Sequence, residues 1–243
     1  MSDSNEVVYD RTAEFYDAAS IDRVAALGDQ VRRWALTVPD SAPLVDLGAG
    51  TGRLAVIAAR ARSSDVYVVE PSHSMRAVLA NRVAEDSDLA RRVSIVSSPV
   101  PDAWRAIPEE VGGVMMLAAI MHLSPDDRRS LLVEVAARLA SDGSALIEVM
   151  QPWTATAIPR QQFVSVACGR HRIEGEMEAT PFGTDVLDWT MTYRRVDADG
   201  AVLDEASGTS RCWVVDPDQF AAEATAAELT VEWLSDELVV LRP

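Results

Sequence analysis

Two different periodicities divide the chain near residue 150. Upstream, short runs that are apolar on both faces, Leu44–Leu47, Val66–Val69, Val93–Val96, Val114–Leu117 and Ala145–Val149, alternate with longer amphipathic stretches. Such runs suit strands covered by helices on both faces. The clearest helical stretch is Ser124–Leu139: Ser124 can cap, Pro125 takes the first helical position, Asp127 falls in the first turn, and Ser141-Asp142-Gly143 ends the helix. Strands alternating with helices imply right-handed crossovers and a parallel, doubly wound α/β sheet.

Downstream of Pro152 the period shortens to two. In Asp185–Val196, Leu187, Trp189, Met191 and Tyr193 fall on one face; "DADG" then turns the chain into Ala201–Ser207, followed by Thr209–Val215. This predicts an antiparallel meander packed on the main sheet. Asp216-Pro217-Asp218-Gln219 carries cap and proline signals for a helix reaching Ala227, and two short strands, Leu229–Leu234 and Glu237–Leu241, close the chain. No repeat or flexible linker interrupts it, so the 243 residues are expected to form one domain.

Charge narrows the choice of partners. There are 22 basic against 38 acidic residues, a formal net charge of −16, which repels phosphate backbones and anionic lipid. Nucleic acid and membrane are therefore not expected partners. Every basic residue is arginine, which reads as coding bias rather than a binding device. Cys168 and Cys212 stand far apart, without metal-ligand spacing, so neither a zinc site nor a disulfide framework is expected. The opening "MSDSNEVVYD" lacks the basic-then-apolar order of a signal peptide, and the apolar run Val111–Met121 is too short to span a bilayer. A cytoplasmic protein, monomeric or a homodimer, with no metal, is the expectation.

The chemistry concentrates in "PLVDLGAGTGRL", where Gly48, Gly50 and Gly52 follow the first strand. In an open parallel sheet ligands bind beyond the carboxyl ends of the strands, and this turn lies closest to them. Glycines there let a ligand approach the backbone and permit positive φ. A dinucleotide fingerprint would carry its third glycine where this chain has Arg53. The pattern is instead D-x-G-x-G-x-G from Asp46, and Glu70, ending the second strand, can hold both hydroxyls of a ribose.

On "VDLGAGTGRL" and "VYVVE" the sequence resembles the class I S-adenosylmethionine-dependent methyltransferases over about residues 5–150. The likeness continues through "EPSHSM" and "LASDGSALIEV". It implies a Rossmann-like seven-stranded sheet with helices on both faces, a helical cover over residues 1–40, a cofactor-binding core over 41–150, and an acceptor side over 151–243. The cofactor implied is S-adenosyl-L-methionine. By the same likeness Gly48, Ala49 and Gly50 meet its methionine part, Asp46 holds the loop and Glu70 the ribose. Met75 would lie against the adenine, with Pro71 and Leu117 nearby. Ser98 stands where many relatives have an aspartate facing the adenine amino group. The opening "VVYDRTAEFYD" resembles covers whose tyrosines reach the cofactor carboxylate, which implicates Tyr9 and Tyr16. "QPW" and the meander look like methyltransferases of amino sugars and other small natural products.

Methyl transfer is an in-line displacement that depends mainly on alignment, with a neutral acceptor. An amine needs no strong base; a hydroxyl benefits from one, and His122, just past the fourth strand, is the best-placed candidate for that catalytic role. It can equally be a residue packed at the start of the following helix. His73 and His171 fall in less promising positions. Trp153, Phe163, Phe182, Trp189, Trp213 and Trp233 are candidates for the acceptor wall, each of which can instead be core. Three readings stay open: a small-molecule N- or O-methyltransferase, an enzyme of the same scaffold and cofactor that does not methylate, and a dinucleotide-dependent oxidoreductase.

Overall fold

A computed structural model describes residues 3–243, with side chains from Val8 onward. Helices α1 (Asp3–Ala19) and α2 (Ile21–Thr37) precede the alternating unit β1 (Leu44–Leu47), α3 (Arg53–Arg60), β2 (Val66–Val69), α4 (His73–Ala84), α5 (Leu89–Arg92) and β3 (Val93–Val96). Strand β4 (Val111–Met116), α6 (Pro125–Arg138) and β5 (Leu139–Glu148) follow. Four long strands come next, β6 (Ile158–Cys168), β7 (His171–Pro181), β8 (Val186–Val196) and β9 (Val202–Trp213), then α7 (Pro217–Ala226), β10 (Thr230–Trp233) and β11 (Leu238–Arg242).

The main sheet has seven strands in the order β10-β11-β5-β4-β1-β2-β3, and the strands from β5 to β3 pair in parallel. Strand β11 runs antiparallel to both its neighbours. Alternate strand residues face opposite layers. Met115 and Leu146 join Trp34, Val56 and Leu79 of α2, α3 and α4, whereas Val114 and Ala145 join Leu131, Val135 and Phe220 of α6 and α7. The doubly wound sheet expected from the sequence is therefore present. Ser124 and Asp216 cap α6 and α7 through the N–H groups of Asp127, Asp218 and Gln219, with a proline at each first position.

Four expectations need correction. Two strands of the second sheet, β6 and β7, lie where the sequence showed no strand pattern; β6 is exposed on both faces over most of its length, so no alternation marks it. Strand β9 is continuous through Gly208. A Cβ on that glycine would stand 2.7 Å from the Val8 side chain, so the residue marks the close passage of α1 rather than a break. The β6-β7-β8-β9 sheet rests on α1 and on the turn Ile120–His122 instead of on the main sheet. Finally, the turn expected at Ser141–Gly143 is an irregularity inside β5, and β4 starts three residues early because Gly112 and Gly113 let the chain pass close to Pro39, Val38 and Trp34.

Candidate active site

The turn after β1 behaves as its glycines require. Gly48, Gly50 and Gly52 have φ of 78°, 57° and 78°. A Cβ on Gly48 would lie 2.7 Å from the Ala119 Cβ, whereas one on Gly50 would meet only the Tyr16 ring, at 3.6 Å. Gly48 thus serves the packing of two loops, and Gly50 leaves open space beneath α1. Glu70, 5% exposed, reaches back from the end of β2: its Oε2 accepts from the Gly50 N–H and its Oε1 from the Ser72 N–H, both at 2.7 Å. Asp46 is also buried; burial, with the negative charge of Glu70 as the second cause, pushes its pKa up to about 8.

Helix α1 is clamped over this loop at two points. Asp10 accepts from Ser72 Oγ at 2.6 Å and from the Ser74 N–H at 3.0 Å, at the start of α4. About two turns further on, Asp17 accepts from Thr51 Oγ1 at 2.5 Å and pairs with Arg82. Next to these acids Tyr9 and Tyr16 line the loop-side cavity, ring centroids 6.4 Å apart. The Tyr9 hydroxyl lies 2.8 Å from His122 Nε2, and His122 Nδ1 lies 3.9 Å from the Cys212 sulfur. Burial lowers the His122 pKa to about 4 and raises that of Cys212 to about 12, so both are neutral near pH 7.

Across the cleft, Glu148 ends β5 as Glu70 ends β2. Its Oε1 accepts from Arg23 Nη1 at 2.8 Å, the second guanidinium nitrogen pairs with Oε2, and Oε2 also accepts from the Ala118 N–H at 2.9 Å. Ala118 holds φ of 53°, a left-handed conformation that costs a non-glycine residue about 1–2 kcal/mol. It borders every cavity described below.

Two small cavities of about 40 Å³ each lie under α1. One is walled by Asp46, Gly48, Ala49, Leu117 and Tyr16, the other by Tyr9, Tyr16, Gly50, Glu70, Met75, Leu117 and His122. A third, of about 400 Å³, opens beyond them between α1 and the second sheet. Of the predicted site residues, Tyr9, Tyr16, Asp46, Gly48, Ala49, Gly50, Glu70, Met75, Leu117 and His122 therefore come together, while Pro71 and Ser98 line none of the three. Of the expected acceptor wall, Phe163 and Trp189 border the large cavity. The other four do not. Trp153 donates to the Val149 carbonyl, Phe182 lies exposed under the Arg211 guanidinium, Trp233 packs on Phe220, and Trp213 ends β9 away from the cavity. His73 and His171 are exposed.

Arg23, Glu148, Ala118, Asp10 and Asp17 had no place in the sequence reading. Only Glu148 carried a usable signal, since an acid ending a buried parallel strand repeats the position of Glu70. Among the described residues no cluster of three histidine, cysteine or acidic side chains could hold a metal, and no helix is long and apolar enough to cross a membrane.

The parallel sheet with this strand order, the glycine turn over a buried acid and the second acid one strand along agree with the resemblance to S-adenosylmethionine-dependent methyltransferases noted in the sequence. Residues 44–143 match the family model described as "Methyltransferase domain". Among curated proteins nothing matches. Solved structures do. CcbJ, a methyltransferase from Streptomyces caelestis, is 17% identical, with 98% of each chain covered and a TM-score of 0.72. DesVI from Streptomyces venezuelae is 16% identical over 99% of this chain and 97% of its own, at 0.68. CalS10 from Micromonospora echinaspora, an amino pentose methyltransferase solved with S-adenosylmethionine, is 20% identical over 91% of each chain, also at 0.68. At these identities the likeness is one of fold.

The residues of the cleft suit the cofactor. Two buried carboxyls, Asp46 and Glu70, suit a positively charged ligand, and the open backbone at Gly50 admits close contact.

Proposed function

We propose that the protein methylates the nitrogen of a small natural-product acceptor. The observation that carries this reading is the junction of the two compartments: Tyr9, Tyr16, Ala118 and His122 wall both the loop-side cavity and the large cavity beyond it. A methyl group held over the glycine turn would face the large cavity at that junction. The structural neighbours CalS10 and the sugar N-methyltransferase KedS8 add support for a small amine as acceptor.

S-adenosylmethionine supplies an electrophilic methyl on a sulfonium. The chain's own residues bind and align. Glu70 takes the ribose hydroxyls, Met75 packs on the adenine, and Gly48, Ala49 and Gly50 give the methionine part access to backbone groups beside Asp46 and Leu117. Ser98 follows β3, whose Val96 carbonyl accepts from the Glu70 N–H at 3.0 Å, and it is kept with Pro71 on the adenine side. The chain acts as one unit, since α1 touches both the glycine turn, through Asp17 and Thr51, and the second sheet.

Neutral His122, with a pKa near 4, is a weak base for a hydroxyl, and this favours an amine whose transfer depends on alignment. It holds the acceptor edge together with Tyr9. Incubation with S-adenosylmethionine and a panel of amines, followed by release of S-adenosylhomocysteine and mass analysis of the product, tests the reading; cofactor consumption without a methylated product would favour a non-methylating enzyme. His122→Ala is expected to lower turnover less than about tenfold. A loss of about 10²–10⁴-fold with intact fold and cofactor binding would make His122 the base and a hydroxyl the acceptor.

A further inference from the structure

The wall of the large cavity carries information about the acceptor's body. Its floor is one face of the second sheet, where Trp189, Met191 and Tyr193 alternate along β8 and Met177 of β7 stands directly opposite Met191. Met121 and Met150 complete a set in which four of the chain's eight methionines border one cavity. Methionine side chains are apolar, flexible and polarisable, and they mould around apolar bodies of varied shape. The Trp189 indole N–H is turned to the Met191 sulfur at 3.0 Å, so the largest polar handle on this face is occupied within the wall.

Charge on the wall is scarce and does not suit an anion. Among the described residues Arg23 is the one arginine bordering the cavity, and Glu148 already holds both of its terminal nitrogens. Asp22 adds a carboxylate in the first turn of α2, where a phosphate would otherwise meet the positive end of the helix. A pyrophosphate entering here would lose its hydration against apolar groups and a carboxylate, on a chain of net charge −16.

We infer that the acceptor is an amine carried on an apolar body without phosphate, seated against Met177, Trp189 and Met191, and not a nucleoside-diphosphate-linked amino sugar. This rests on the proposed function, which supplies the amine and its position at Tyr9 and His122.

Binding of butylamine, hexylamine and octylamine, and of a nucleoside-diphosphate-linked amino sugar, is measured by tryptophan fluorescence and calorimetry with S-adenosylhomocysteine present. Affinity should rise about two- to fourfold per added CH2 along the amines, as burial of apolar surface requires. The nucleotide form should bind at least about tenfold more weakly than octylamine, an expectation from desolvation of the phosphates. Met177→Glu should abolish the chain-length dependence and Met177→Leu should preserve it, both with unchanged affinity for S-adenosylhomocysteine. A flat chain-length series, a nucleotide form that binds as well as octylamine, or Met177→Glu behaving as wild type overturns the inference, as does failure of every acceptor to bind while S-adenosylhomocysteine binds. Failure of S-adenosylhomocysteine itself to bind would instead strike the proposed function.

Discussion

Replacement of Asp46 by asparagine isolates one buried group of the proposed cofactor site. Burial, reinforced by the neighbouring charge of Glu70, raises the Asp46 pKa from 3.8 to about 8. Between those values the folded protein keeps a proton that the unfolded chain has released. The folded state therefore binds more protons, and stability falls as pH rises through this window. A shift of this size makes the wild type lose about 3–4 kcal/mol between pH 5 and pH 8.5 relative to a variant that cannot ionise there. Urea unfolding of wild type and Asp46→Asn at several pH values reads this difference directly, because the other titrating groups are common to both. The same carboxyl should respond to a cationic ligand. S-adenosylmethionine bound beside Asp46 favours its charged form, so binding near pH 7 should release close to one proton in the wild type and none in Asp46→Asn, measured by calorimetry in buffers of different ionisation enthalpy. Identical pH slopes for the two proteins would refute the argument.

Glu70→Ala removes the acceptor of the Gly50 and Ser72 N–H groups together with the proposed ribose contact, and should weaken S-adenosylmethionine binding by about 1.5–3 kcal/mol in calorimetric titration; unchanged affinity would take Glu70 out of the site. Gly48→Ala should destabilise the fold more than Gly50→Ala. Both bear the positive-φ penalty of about 1–2 kcal/mol, but only at position 48 does the new Cβ fall 2.7 Å from Ala119, and equal unfolding midpoints would contradict this. Glu223→Ala strands the buried Arg128 guanidinium, held by two hydrogen bonds of 2.6 and 2.8 Å, and should cost about 3–5 kcal/mol by urea unfolding; a loss below 1 kcal/mol, roughly that of a surface pair, would show that the pair is not buried in solution.

The sequence by itself determined the parallel core and the glycine turn with its neighbouring acids, because both rest on local signals. Strands apolar on both faces, a capped helix with Pro125 at its start, and a glycine turn between Asp46 and Arg53 each state their structure within a few residues. The order of β1, β2 and the acid at Glu70 then follows from the rule that crossovers are right-handed. Tertiary structure alone decided the acceptor side. Strand β6, exposed on both faces, has no period to read, and Gly208 looks like a break until Val8 is seen to pass over it. The same holds for the contacts that shape the site. Tyr9 meets His122 across 113 residues, and Arg23 meets Glu148 across 125, so no window of sequence contains either pair. Met121, Met150, Met177 and Met191 are spread over 70 positions and become one apolar wall only when α1 and the second sheet close over the main one. Local chemistry singled out the glycine turn and its acids; which residues surround the large cavity depended on chain crossings that only packing brings about.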